Sequence, residues 1–264
     1  MTDAVLTIAR RAYQYGICVL PAAADGTKRP GVNAWREYQQ ARPDKATMRR
    51  LFPEQGGPVG IGFITGEVSG HLELLEFDTA EAETVYRALA AEQGASDLLA
   101  RLDASYSERT PSGGLHWLYR AAGGARPNTK LASEPLCTTC AQLATAPHHD
   151  HDFATDPIRR KTVIETRGEG GWVVVAPSGG KTHPSGKPYV MLHGGVATIP
   201  TLTEEERDQL WAIARDMDQS PPERKDQGRN LHSAPASESL VTGDRPGDLF
   251  NARASWESML EPAG

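Results

Sequence analysis

Two carboxylates at alternate positions close a short apolar run at residues 72–78, LELLEFD. The run reads as a strand, on which side chains two apart share a face. Leu72, Leu74, Glu76 and Asp78 then lie on one side, and Glu73, Leu75 and Phe77 on the other. Glu76 and Asp78 therefore meet where the strand ends. Carboxylates so close repel, and oxygen-liganded cations such as Mg²⁺ or Mn²⁺ relieve the repulsion when the pair opens onto a cleft. An arbitrary Glu-x-Asp is more often a solvated strand end. Two downstream stretches weigh against that reading here. Residues 163–171, VIETRGEGG, bring a third acid, Glu165, and residues 110–116, TPSGGLH, bring a glycine-rich loop closed by His116. A second cluster has metal-ligand spacing: Cys137 and Cys140 form a CxxC followed by His148, His149 and His151. Two thiolates with two imidazoles suit a structural, tetrahedral Zn²⁺, His148 and His151 being the assigned pair, whereas a metal-free loop with two small thiols is the alternative.

Stepping from these residues to the elements that hold them, Val5, Ile8, Ala12 and Tyr15 recur at helical spacing up to Gly16. A buried strand follows at 17–21, and then a turn displays Lys28 and Arg29, either to phosphates or simply to solvent. Residues 44–52 form a brief helix. The strand at 59–66 leads through a tight turn into 72–78, a hairpin-like pairing. Thr79 caps a helix to about residue 93, with Val85 and Leu89 facing inward, and a shorter helix covers 97–102. SYSERT and LHWLYR flank PSGG as a hairpin; TVIETR and GWVVVAPS flank GEGG as another; residues 187–192 add an edge strand. Thr203 and Glu206 form a capping box for a helix with Leu210, Ile213 and Ala214 on one side. The domain is expected over 1–218, with a zinc-binding insertion at 133–160. A polar, Pro/Ser-rich linker spans 219–240, and a helical segment at 241–264, carrying Phe250 and Trp256, reads as the start of a following domain.

The chain has 264 residues, enough for one large domain and an appendage. A net charge of −6 weighs against a nucleic-acid coat but not against an enzyme with a basic groove. Three cysteines make no disulfide framework. With no apolar run near the roughly 18 residues of a membrane span and no signal core, a cytoplasmic protein without membrane contact is expected.

In the order TKRP (27–30), Trp35, GIGFITGEVSG (60–70), LELLEFD, TPSGGLH, NTKLA (128–132), IETRGEGGWVVVAPS and HPSG, the chain resembles the bifunctional primase–polymerase domains of the archaeo-eukaryotic primase superfamily, found in phage and plasmid replication proteins. The match covers roughly residues 5 to 195, and its strength lies in the ordered combination. The resemblance places the first-motif acids on Glu76 and Asp78, the third-motif acid on Glu165, and the second motif on Ser112, Gly113, Gly114 and His116. The family more often has Asp-x-Asp in the first motif and Asp in the third; Glu76 and Glu165 each lengthen the arm to a metal by one methylene.

The resemblance implies an α/β fold, an RRM-like palm with a largely antiparallel central sheet and flanking helices, plus a smaller N-terminal αβ part. It implies a primase and polymerase using NTP or dNTP on a single-stranded DNA template, with two Mg²⁺ or Mn²⁺ ions held by Glu76, Asp78 and Glu165. Backbone N–H groups of Ser112 to Gly114, the His116 ring and Arg167 suit the triphosphate. A helicase domain beyond the linker is also implied. A metal-dependent phosphodiesterase and a non-catalytic module recruiting a replicative helicase are the competing readings.

Overall fold

The computed structural model describes residues 2–137 and 158–219. The chain divides into two units, Met1–Pro221 and Pro222–Gly264, and all the described residues belong to the first. In chain order the elements are α1 (Thr2–Gln14), β1 (Cys18–Pro21), a 3₁₀ turn at Trp35–Gln39, α2 (Lys45–Leu51), β2 (Ile61–Ile64), β3 (Leu72–Phe77), α3 (Ala80–Glu92), α4 (Ser96–Ala104), β4 (Tyr106–Arg109), β5 (Leu115–Ala121), β6 (Thr129–Cys137), β7 (Ile158–Arg167), β8 (Trp172–Val175), β9 (Val190–His193), β10 (Thr201–Leu202) and α5 (Glu204–Asp216). The fold is mixed α/β. Its large sheet has the order β6-β7-β3-β5-β4-β9, with β10 beside β5, and is antiparallel except for the β10 pairing.

Strand β3 is central, and its two faces part as the alternation predicts. Leu75 and Phe77 join Trp117, Tyr119 and Ile164 under the helices, packing on Tyr86, Leu99, Leu102, Leu210 and Trp211. Phe77 meets Tyr86 and Trp117 edge-on at centroid distances of 4.9 and 5.2 Å, an arrangement aromatic quadrupoles favour. Leu72 and Leu74 face the opposite way, with Leu118 and Tyr106, onto Val5 and Ala9 of α1 and onto Phe63, Val173 and Val175 of a second, three-stranded sheet.

That second sheet, β1-β2-β8, corrects two expected hairpins. β2 pairs with β1 and β8, and touches the β3 strand through a single bridge, Gly66 to Leu72. β7 likewise pairs with β3 and β6, while β8 crosses to the small sheet, so the GEGG stretch connects two sheets. All four β2 residues are buried, and such a strand needs a neighbour on each edge, which a hairpin with β3 alone would not supply. A further correction concerns α3: Val85 is 51% exposed, and Ala82, Tyr86 and Ala90 make the inward stripe. The large Tyr86 ring sets the helix phase. Strands β6 and β7 also run into the stretch assigned to an insertion, Cys137 pairing with Ile158.

Two caps form as expected: Thr79 accepts from the Ala82 amide, and Thr203 with Glu206 closes a capping box. Asp44 also caps α2, accepting from the Thr47 amide. Helix α5 is fastened beneath the sheet by Arg207, which donates to Glu73 at 3.2 Å and to the Gly124 carbonyl at 2.7 Å. Both side chains are essentially without solvent exposure. Removing one partner leaves a buried charge uncompensated, so Arg207→Met is expected to lower unfolding stability by about 3–5 kcal/mol. Denaturant melts check this; a loss under about 1 kcal/mol would contradict the role given to the pair.

Candidate active site

Antiparallel register places side chains that face one another on the same side of a sheet, Cβ atoms about 5 Å apart. Glu76 stands opposite His116 on β5 and also opposite Glu165 on β7. His116 in turn faces Glu108 on β4, and Glu165 faces Lys130 on β6. A single polar row thus crosses five strands: Lys130, Glu165, Glu76, His116, Glu108. It lies where the apolar packing of Leu72 and Leu74 gives way to a cleft of about 560 Å³ lined by Glu76, Asp78, His116, Glu165, Arg167, Lys28, Trp35, Trp172 and Tyr189, among others. Asp78, just past β3, is still bound to β7 through its amide and the Val163 carbonyl at 2.9 Å. Gly114 lies directly against this strand end, since a Cβ there would run into the Phe77 carbonyl.

Exposure grades along the row. Side-chain values are 0% for Glu108, 3% for His116 and 23% for both Glu76 and Glu165, rising to 48% for Asp78. One end is sealed and the other is open. At the sealed end, Glu108 accepts from His116 Nδ1 at 2.8 Å, the Tyr106 hydroxyl at 2.9 Å and the Ala176 amide at 2.8 Å. At the open end each acid rests near a cation: Glu76 near His116 Nε2 at 3.5 Å, Glu165 on Arg167 at 2.6 Å, Asp78 near Lys161 at 3.6 Å. Burial pulls the His116 pKa down, but Glu108 and Glu76 outweigh it and lift the ring to about 9. Burial pushes Glu76 up, and His116, Arg167 and Lys28 together bring it below the ordinary carboxylate value. Glu165 goes the other way. Burial raises it, helped by Glu76 and Asp78, and Arg167 offsets this only in part.

The three acids fit a hard divalent cation in kind, being oxygen donors that line one cleft. Among the described residues, no three His, Cys, Asp or Glu side chains are already gathered as a cation cage. Glu165 and Asp78 turn instead to Arg167 and Lys161. Cys137 ends β6, whereas Cys140, His148 and His151 lie outside the described residues, so the zinc assignment does too.

In the second-motif loop the Gly113 and Gly114 amides donate within the turn, to the Thr110 carbonyl and hydroxyl at 3.0 Å each. Neither they nor Ser112 line the cleft. The Ser112 hydroxyl instead lies 3.5 Å from His183 Nε2. His183 had no assigned role; burial and nearby Lys28 lower its pKa.

Other residues escaped the sequence reading. Lys161 shares the cleft face of β7 four residues before Glu165, a placement that strand alternation alone supplies. Glu108 could have been found by counting the β4–β5 hairpin outward from the Thr110 to Gly114 closure. Tyr189, whose ring lies 5.9 Å from that of His116, has no local signal. Lys28 adopts a left-handed φ of 59°, and its carbonyl accepts from Trp172 Nε1 at 2.8 Å. Such backbone costs about 1–2 kcal/mol in a non-glycine residue. The Trp172 ring lies over Gly62, where a Cβ would collide with it.

The raised His116 pKa has a signed consequence. Its stabilising effect is full below the unfolded value near 6.5 and is lost as pH rises through about 9. In chelator, melting temperature is expected to fall over this window more steeply in the wild type than in His116→Ala. Parallel profiles would contradict the assignment.

No described helix is long and apolar enough to cross a membrane. No curated protein matches the chain. The family model for the bifunctional DNA primase/polymerase, N-terminal domain matches residues 9–205, most of the chain's length and every residue of the polar row. By that match, which takes in Glu76, Glu165 and His116 on their shared rung, the chain belongs to the bifunctional DNA primase/polymerase family.

Proposed function

We propose that this chain is a DNA-dependent nucleotidyltransferase that makes and extends primers on a single-stranded template, using NTP or dNTP. The observation that carries the reading is the rung on which Glu165, Glu76 and His116 stand side by side, opening onto a cleft that also holds Asp78, Arg167 and Lys28. A nuclease would need the acids as well, but three basic groups beside them suit a polyanionic triphosphate.

Glu76, Asp78 and Glu165 are the residues to hold Mg²⁺ or Mn²⁺. Bound there, a pair of such ions supplies an acidified primer hydroxyl and a neutralised pyrophosphate leaving group. The protein's own groups do the rest. His116 presents Nε2–H to a phosphate oxygen. Arg167 leaves Glu165 for a phosphate, which its fork fits in two-point contact. Lys28 adds charge from the opposite wall, and the half-buried Trp35 and Trp172 offer flat apolar faces to a base. The Ser112–Gly114 turn contributes by letting Gly114 set the strand end.

The same reading takes the large sheet with α3, α4 and α5 on one face as an RRM-like palm, and places the chain in phage or plasmid replication ahead of a helicase, on the strength of the motif order. It keeps a structural zinc at Cys137, Cys140, His148 and His151. Metal analysis is expected to give stoichiometric zinc in the purified chain and none in Cys137→Ser/Cys140→Ser; equal zinc in both removes the site.

The deciding experiment incubates the chain with single-stranded DNA, labelled nucleotides and Mn²⁺ or Mg²⁺, with and without primer. New or extended strands are expected, falling at least about a hundredfold in Glu76→Ala and Asp78→Ala with unchanged melting behaviour. Asp78-dependent shortening of template would make it a phosphodiesterase. No reaction at all would move the assignment to a recruitment module.

A further inference from the structure

The sealed end of the polar row holds a group the primase–polymerase reading does not use. Glu108 has no solvent exposure, yet its carboxylate is surrounded by donors: His116 Nδ1, the Tyr106 hydroxyl and the Ala176 amide, all within 2.9 Å. A buried carboxylate so fully paired is fixed in orientation, and it fixes its partners. The ring it grips is 2% exposed, and its other nitrogen, Nε2, lies 3.5 Å from Glu76 Oε1 without a hydrogen bond. That nitrogen is the one turned toward Glu76, which lines the cleft.

We propose that Glu108 is a positioning residue of this site: by accepting from Nδ1–H it fixes the tilt of the His116 imidazolium, whose second donor, Nε2–H, is directed at the nucleotide's phosphates. The inference rests on the reading of His116 as a nucleotide-binding group. Imidazoles used at a reactive centre are oriented in this way by a carboxylate at the far nitrogen. The anchoring is transmitted from several elements. Tyr106 packs in the core shared with α1, and Ala176 follows β8, so the ring's angle is set by both sheets at once. A neutral amide at this position has one acceptor and one donor, and it cannot satisfy three donors together.

The test has one part that needs no activity. In NMR spectra of the chain carrying isotope-labelled histidine, the His116 signal is identified by its loss in His116→Ala. Its Nδ1 is expected to carry a proton shifted strongly downfield, present in Tyr106→Phe and lost in Glu108→Gln. An Nδ1 without a proton in the wild type, or an unchanged signal in Glu108→Gln, overturns the proposal. The second part is kinetic. Glu108→Gln is expected to raise the nucleotide KM by about tenfold or more with a smaller change in kcat. Added to His116→Ala, it should make matters no worse, because the residue acts only through the ring. Additive losses would mean a general structural role and would also overturn it. If the wild type makes no strands, the assigned function falls, and the Nδ1 signal still decides whether Glu108 holds the ring.

Discussion

One pairing constraint governs this molecule: β3 must be in register with β5 on one edge and β7 on the other. Because Leu74 faces Leu118 and Arg167, Glu76 is forced opposite His116 and Glu165. A slip of one residue would turn every side chain of β3 over, sending Glu76 under the helices and Phe77 into the cleft. The register is held by burial on both faces, with Phe77 between Tyr86 and Trp117 on one side and Leu72 and Leu74 against α1 and the small sheet on the other. The packing that stabilises the fold therefore also places the acids.

The electrostatics follow from where the row meets solvent. At the dry end a histidine and a carboxylate are locked together, and burial makes that pairing strong. At the wet end the acids are balanced by Arg167 and Lys161, side chains long enough to leave when a more highly charged partner arrives. Glu165, raised by burial and then by its acidic neighbours, has the most to gain from such a partner. On the small-sheet side, Trp172, held to the Lys28 carbonyl and lying over Gly62, gives the cleft an apolar face.

What the sequence disclosed was local. The face split of LELLEFD, the PSGG hairpin and the caps at Thr79 and Thr203 are set by neighbours a few residues apart, and each formed as read. Periodicity tells which face a side chain takes but not which strand lies beside it. For that reason β2 and β8 were assigned to hairpins with their chain neighbours, when burial on all sides draws them into a separate sheet. Val85 and Tyr86 show the same limit in a helix, where a shift of one residue decides which of two apolar side chains enters the core. At the site, the acids and His116 stood out by type and spacing, whereas Lys161 and Tyr189 matter only through the fold. In the loop, glycine marks close backbone approach without saying to what: Gly114 approaches the Phe77 carbonyl.

In the proposed function, Glu76, Asp78 and Glu165 act together as a divalent-cation site completed by nucleotide. Calorimetric titration of Mn²⁺ into the chain, with and without a non-hydrolysable nucleoside triphosphate, tests it most directly. The account predicts Mn²⁺ binding that the nucleotide tightens and that Glu76→Gln and Glu165→Gln each weaken by about tenfold or more. Binding that ignores both the nucleotide and the substitutions would contradict it.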